Sequence, residues 1–363
     1  MGGQKIVFFG SGATGIPALK MLLDEPAFDV AAVVTQPAKP AGRKMELCCT
    51  AIERLIRQEY AHRVVPTNVD CDELHEEVAR SEEKLLLCAP DKVRGNKPLR
   101  KILRMLEPDF LVVISFGQLL TNLVLNIAPK AVCVHASELP LLRGPSPVRT
   151  ALILGMKETQ ACTFLMTPRM DDGDVLLRKN IAIEQDSDFA TLCAKFAEEI
   201  PMLLRDTILG LAAGEITPKP QNHADATYCR LIRKSDSFVD WRMKPRELRD
   251  FARAFSPDLG IATFFRGRQI KFGIPVDFAE EQKGEPGEIL AVHRRSGLMD
   301  VACGDGSVTF DAVQPESRPK MPVEAFVNGF APKPGEKFET PMEILDARPP
   351  FVSNQPAWIR ENI

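Results

Sequence analysis

Lys5–Leu19 reads KIVFFGSGATGIPAL, and the reading of this stretch decides the fold. KIVFF is a short, unbroken apolar run, as expected of a parallel strand buried on both faces. It stops at glycines. GIPALKMLLDE then has helical spacing, with Pro17 in the first turn, where its missing N–H costs nothing. Working outward, FDVAAVVTQ is a second buried strand, PAKPAGRKMELCC a basic loop bounded by Pro and Gly, and TAIERLIRQEY a helix by its period. Alternating strands and helices predict an α/β fold with a Rossmann-like, doubly wound, mostly parallel sheet. Gly10, Gly12 and Gly15 form a G-x-G-x-x-G between strand and helix. A dinucleotide site would add an acidic residue at the end of the second strand, and this chain has Thr35-Gln36 there. The glycines therefore read as a tight turn with close helix packing.

The 363-residue chain has room for two domains. Its hydrophobic fraction of 45% and charged fraction of 26% are ordinary for a globular protein. A net charge of −3 does not mark an avid nucleic-acid binder, so any nucleic-acid contact needs positive charge gathered locally. Leu231 to Lys271 offers such a gathering, ten Lys/Arg against five Asp/Glu. The nine cysteines are scattered without a CxxC pair, which argues for a reducing compartment and against disulfides or structural zinc. No run is long enough to span a membrane and no signal peptide is expected.

Further along, CDELHEEVARSEEK and NKPLRKILRML read as helices split by LLLCAPDKVRG, a region without an assigned role. PDFLVVISFG is a buried strand, LLTNLVLNI a helix, KAVCVHAS a strand and PSPVRTALILG a helix. ACTFLM and DVLLRKNIAI are strands, followed by a long capped helix with an acidic first turn, which Pro201 should kink or divide. Residues 214–232 read as a linker over the surface. From residue 233, one helix and short Gly-turned strands suggest a small β-barrel, and after Phe330 the Pro-rich chain reads as a loose tail.

The chemistry gathers between Cys133 and Asp174, CVHASELPLLRGPSPVRTALILGMKETQACTFLMTPRMDDGD. His135 leaves a strand, and Asp171 follows 36 positions later in MDDGD, after another strand. An imidazole exchanges protons near neutral pH, and a carboxylate can fix its orientation and tautomer. Two such residues leaving neighbouring strands at the carboxyl edge of a sheet make an acid/base pair.

HASELPLLRGPSPV followed by MDDGD resembles the HGSLLP…RG..P and LDTGD segments of the folate-dependent formyltransferases. The similarity runs nearly end to end, through KIVFFGSGATGIPAL, VVTQPAKPAGR, PDFLVVISFGQLL, VDWRMKPRELRDFARAFSP and VACGDGSVTF, and is strongest toward members that act on methionyl-tRNA. The resemblance implies a catalytic domain over 1–213, a linker over 214–232, an OB-like domain over 233–332 and a tail over 333–363. It implies 10-formyltetrahydrofolate as donor and initiator methionyl-tRNA as acceptor, with no metal, no membrane and no DNA. A monomer in the cytoplasm, or in the mitochondrial matrix of a eukaryote, is expected. His135 and Asp171 would be catalytic. Ser115, Phe116, Gly117, Ser137, Leu139, Pro140 and Asp174 would bind the folate, and Arg43, Lys44 and Arg143 the tRNA. Cys133 stands where the family carries an asparagine whose amide meets the formyl oxygen, and a thiol is a weak donor. Glu138, at a position usually leucine, and TQACTF in place of TGVT are further departures. A sugar-nucleotide N-formyltransferase and a catalytically impaired paralogue that binds tRNA or folate remain open alternatives.

Overall fold

The computed structural model describes residues 3–41, 45–65, 84–281 and 284–354. Arg43, Lys44 and the helix expected over CDELHEEVARSEEK lie outside them, apart from Lys84. The strands are β1 (Gln4–Gly10), β2 (Phe28–Val34), β3 (Lys39–Ala41), β4 (Glu46–Cys48), β5 (Leu86–Cys88), β6 (Phe110–Ile114), β7 (Lys130–His135), β8 (Glu158–Leu165) and β9 (Val175–Ala182). Seven of them form the main sheet in the order β5-β2-β1-β6-β7-β8-β9. The first five in that order are parallel, while β8 runs antiparallel to both β7 and β9.

The pleat explains the unbroken apolar runs. Ile6 and Phe8 enter the core on one face of the sheet, Val7 and Phe9 the core on the other, all at 0% exposure. The glycine motif serves this packing. A Cβ on Gly10 would lie 2.9 Å from the Ile114 carbonyl oxygen, and one on Gly12 2.9 Å from the Ser115 Cβ. The motif thus seats β1 and its turn against β6.

Several local expectations need correction. The basic loop after β2 forms an antiparallel hairpin, β3–β4. LLLC contributes β5, the edge strand of the main sheet. In LLTNLVLNI the helix covers only Asn122–Leu125. The helix Phe189–Ala213 runs unbroken through Pro201. Its cap, Asp188, accepts from the Thr191 backbone N–H, but its first turn holds no acidic side chain.

The C-terminal part continues with β10 (Tyr228–Cys229), the helix Pro245–Phe255, β11 (Ile261–Phe265), β12 (Arg268–Phe272), β13 (Asp277–Ala279), β14 (Ile289–His293), β15 (Leu298–Cys303), β16 (Gly306–Phe310), β17 (Ala312–Pro315), β18 (Met321–Pro322) and β19 (Val352–Ser353). Two four-stranded sheets result, β11-β12-β17-β18 and β13-β16-β15-β14, with every pairing antiparallel. The described tail is not loose. Phe338 is 1% exposed among Trp241, Phe265 and Phe272, and β19 pairs with β10. Much of the local basic excess is also spoken for: Arg242, Arg253 and Arg266 pair with Asp240, Asp250 and Glu336.

Candidate active site

His135 closes β7 with its side chain almost buried, the residue being 7% exposed. Its Nε2 lies 2.9 Å from the Leu142 carbonyl oxygen. A carbonyl only accepts, so Nε2 carries the hydrogen and the neutral ring keeps a lone pair on Nδ1. Nδ1 faces the Asp171 Oδ2 at 3.6 Å, longer than a formed hydrogen bond. That same Oδ2 accepts the Gly144 backbone N–H at 2.7 Å, which fixes the carboxylate. The pair is arranged to receive a proton at Nδ1. Once protonated, the ring offers one N–H to a carbonyl and the other to a carboxylate.

The route by which Asp171 arrives differs from the expected one. Because β8 is antiparallel to β7, its last residue, Leu165, lies beside Val132, short of His135. The loop 166–174 must therefore climb back along β7. It is anchored by Met166 N–H to the Ala131 carbonyl (2.8 Å) and Leu165 N–H to the Asp174 carbonyl (2.9 Å). At Gly173 the backbone passes so near that a Cβ would stand 1.7 Å from the Leu165 oxygen. Asp171 itself adopts a left-handed conformation, φ 51°. Gln221 holds it there, donating from Nε2 to the carbonyls of Asp171 (2.9 Å) and Gly173 (2.7 Å).

The pair opens onto a cavity of about 650 Å³. Ser115, Phe116 and Gly117 line it from the end of β6, and Cys133 and His135 from β7. Met166–Asp171 close one side, and Phe189, Phe196 and Ile200 of the long helix give an apolar wall. Burial pushes the Cys133 thiol well above its usual range, and the Asp171 carboxylate adds to this. The thiol thus stays protonated, and its sulfur lies 3.6 Å from the Val134 carbonyl.

The other expected site residues fall in two groups. Ser115 and Gly117 sit at left-handed positions of the cavity wall (φ 49° and 75°), and the Phe116 ring packs edge-on against Phe9. Ser137, Leu139, Pro140 and Asp174 are not among the lining residues. Ser137 is buried and donates to the Leu141 carbonyl, and Leu139 packs with Cys162, Phe164 and Val175. Ser137, Leu139 and Pro140 belong to the turn after β7, and Asp174 directly precedes β9. Arg143 corrects its expected role outright. It is 1% exposed, and its guanidinium donates to the Gln221 Oε1 (2.8 and 3.2 Å), the Tyr228 hydroxyl (3.0 Å) and the His223 Nδ1 (3.1 Å). A group so enclosed cannot reach a phosphate. Gln221 was invisible in the sequence, one amide in a polar stretch with no periodic signal.

Comparison with known proteins shows the family. Residues 4–208 match the family described as formyl transferase, and residues 231–331 match the formyl transferase C-terminal domain. A methionyl-tRNA formyltransferase from Geobacter sulfurreducens is 33% identical over 93% of this chain and 97% of its own length. Among solved structures, an N-formyltransferase from Helicobacter canadensis, in complex with folinic acid and dTDP-3-aminofucose, superposes with a TM-score of 0.55. It is 12% identical, over 86% of this chain and 99% of that one. A HypX variant from Aquifex aeolicus also gives a TM-score of 0.55 at 16% identity, over 90% of this chain and 49% of that one. At these identities the two structures speak for the fold. The chain belongs to the formyl transferase family, on the branch of the methionyl-tRNA formyltransferases.

Proposed function

We propose that this enzyme moves a formyl group from 10-formyltetrahydrofolate to the α-amino group of methionine carried on initiator tRNA. The observation that carries the reading is the His135–Asp171 pair set in the wall of a cavity whose volume suits a folate head group and an aminoacyl end together. The neutral amine attacks the formyl carbon and forms a C–N bond, while the carbonyl electrons move to oxygen. His135 Nδ1 accepts the proton released by the amine, and Asp171 stabilises the resulting imidazolium. The oxyanion then collapses, the bond to the folate N10 breaks, and the imidazolium returns its proton to that nitrogen. Atoms and charges balance without a covalent enzyme intermediate. A thiol held protonated by burial is a poor nucleophile, so Cys133 is assigned no covalent step.

Ser115 and Gly117 are proposed to meet the folate by backbone groups at the end of β6, the carboxyl edge where ligands of open α/β sheets bind. A reducing compartment such as the cytoplasm or mitochondrial matrix is proposed on the scattered cysteines of the sequence, none of them in a CxxC pair. The test is formyl incorporation from radiolabelled 10-formyltetrahydrofolate into charged initiator tRNA, with a nucleotide amino sugar as the competing acceptor. Product on the tRNA alone supports the reading. Product on the sugar overturns the acceptor, and binding without product makes this an impaired paralogue.

A further inference from the structure

The segment 214–232 is more than a tether between domains. Gln221 is 7% exposed and its amide is fully used. Both hydrogens go to the loop of Asp171, and the oxygen takes two N–H groups of Arg143. Among the described residues, none of the acceptors around the buried Arg143 guanidinium carries a formal negative charge. Enclosing a cation without a counter-charge is costly, so the arrangement needs a return elsewhere, and the return visible here is a fixed Gln221. A few residues on, Thr227 acts on the other half of the dyad. Its Oγ1 accepts the Leu142 N–H at 2.9 Å, and its carbonyl accepts the Arg143 N–H at 2.9 Å. Leu142 is left-handed, φ 53°, and its carbonyl is the group that sets the His135 tautomer. Each catalytic side chain thus depends on a non-glycine residue in a strained conformation, and each strained residue is held by the same strap.

We propose that Gln221 and Thr227 are positioning residues, which hold Asp171 and His135 in mutual register, so that the interdomain strap is a working part of the active site. The proposal rests on the formyl-transfer reading, and the test separates the two. In the full-length enzyme, Gln221→Leu and Gln221→Glu are compared alone and combined with Asp171→Asn. The glutamate keeps the acceptor for Arg143 but loses both donors. A displaced catalytic group can cost on the order of 10²-fold, so kcat is expected to fall about 10- to 100-fold, with KM for the folate changed less than about threefold. In the Asp171→Asn background the further loss should be below about twofold, because the group being positioned is already gone. Losses that multiply, or a Gln221→Leu enzyme with unchanged kcat, overturn the proposal.

Should the Gln221 variants fail to fold, Thr227→Val against Thr227→Ser decides. The serine should restore kcat, and equal values for the pair overturn the idea. Nitrogen-15 NMR of the His135 ring, assigned with His135→Gln, needs no substrate. It should show the Nε2–H tautomer in the wild type and a mixture in Thr227→Val. An unchanged tautomer counts against the strap even if wild-type enzyme forms no formyl product, an outcome that by itself would sink only the parent reading.

Discussion

Cys133→Asn puts the chemistry of the oxyanion to a direct test. The side chain lines the cavity beside His135, and on its other side it packs against a small apolar cluster of Leu139, Cys162, Phe164 and Val175. Toward the cavity, a new amide could donate to the formyl oxygen as charge builds there. One such donor is commonly worth about 10²–10³ in kcat, or about 2.7–4 kcal/mol. Toward the cluster, the same amide would be buried without partners at a cost of about 1–3 kcal/mol. In the transition state the gain exceeds the cost, so the amide should face the cavity when substrate is bound. In the free protein the cost remains. We expect kcat to rise by about tenfold or more, with Tm lowered by several degrees, since about 1 kcal/mol moves Tm by roughly 2–4 °C at this domain size. Single-turnover formylation of charged tRNA, with differential scanning calorimetry on the same preparation, measures both. A folded Cys133→Asn protein with an unchanged or lower single-turnover rate would refute the reasoning and show that the oxygen is already held by another donor.

Three further outcomes are expected. Gly173→Ala should abolish most activity, because a Cβ 1.7 Å from the Leu165 oxygen must displace the loop that carries Asp171. Wild-type kcat in that variant would mean the loop position is irrelevant. Phe338→Ala should destabilise the protein by about 3–5 kcal/mol, the usual cost of a buried Phe→Ala, whereas a residue of a loose tail would cost under about 0.5 kcal/mol; urea unfolding separates the two. Burial raises the thiols of Cys229 and Cys303 to about 12 and that of Cys193 to about 11, against an ordinary value of 9.0. Below pH 9 they are protonated folded or unfolded and their contribution is complete. Between pH 9 and 12 the unfolded chain loses its protons first, so stability should fall. Urea midpoints across that range should fall less steeply in Cys229→Ala, and equal slopes would rule out a contribution from Cys229.

The fold was largely legible because its signals are local. Continuous apolar runs such as Ile6–Phe9 mark strands buried on both faces, and alternate residues do enter two separate cores. The nearness of His135 and Asp171 was legible too, since a strand end places His135 and a loop after the next strand carries Asp171. Direction was not. A burial pattern carries no sign of whether β8 runs with β7 or against it, so the path by which Asp171 returns was missed. Arg143 was misread for a related reason. A cation in a loop reads as solvated unless its partners are known, and these stand about 80 residues away, at Gln221, His223 and Tyr228. The tail failed on composition. Prolines around Phe338 and Phe351 signal irregular backbone, which is compatible with dense aromatic packing.

Those misreadings share a physical cause that bears on function. The pair joins residues 36 apart, His135 at the end of β7 and Asp171 in the loop after the antiparallel β8, through left-handed backbone at Leu142 and Asp171. Such conformations persist only where surrounding structure over-determines them. Helix and strand periodicity cannot provide that here, because both residues lie in loops. The constraint has to come from side-chain amides and hydroxyls that bond to backbone over long sequence distance, which is what Gln221 and Thr227 do. The strap is in turn held at β10 by β19, and its Arg230 pairs with Asp236, so that both anchoring partners lie beyond residue 232. On the proposed reading, the register of His135 and Asp171 then depends on packing contributed by residues after 232, and a lesion that loosens β19 should lower kcat before it lowers folate affinity.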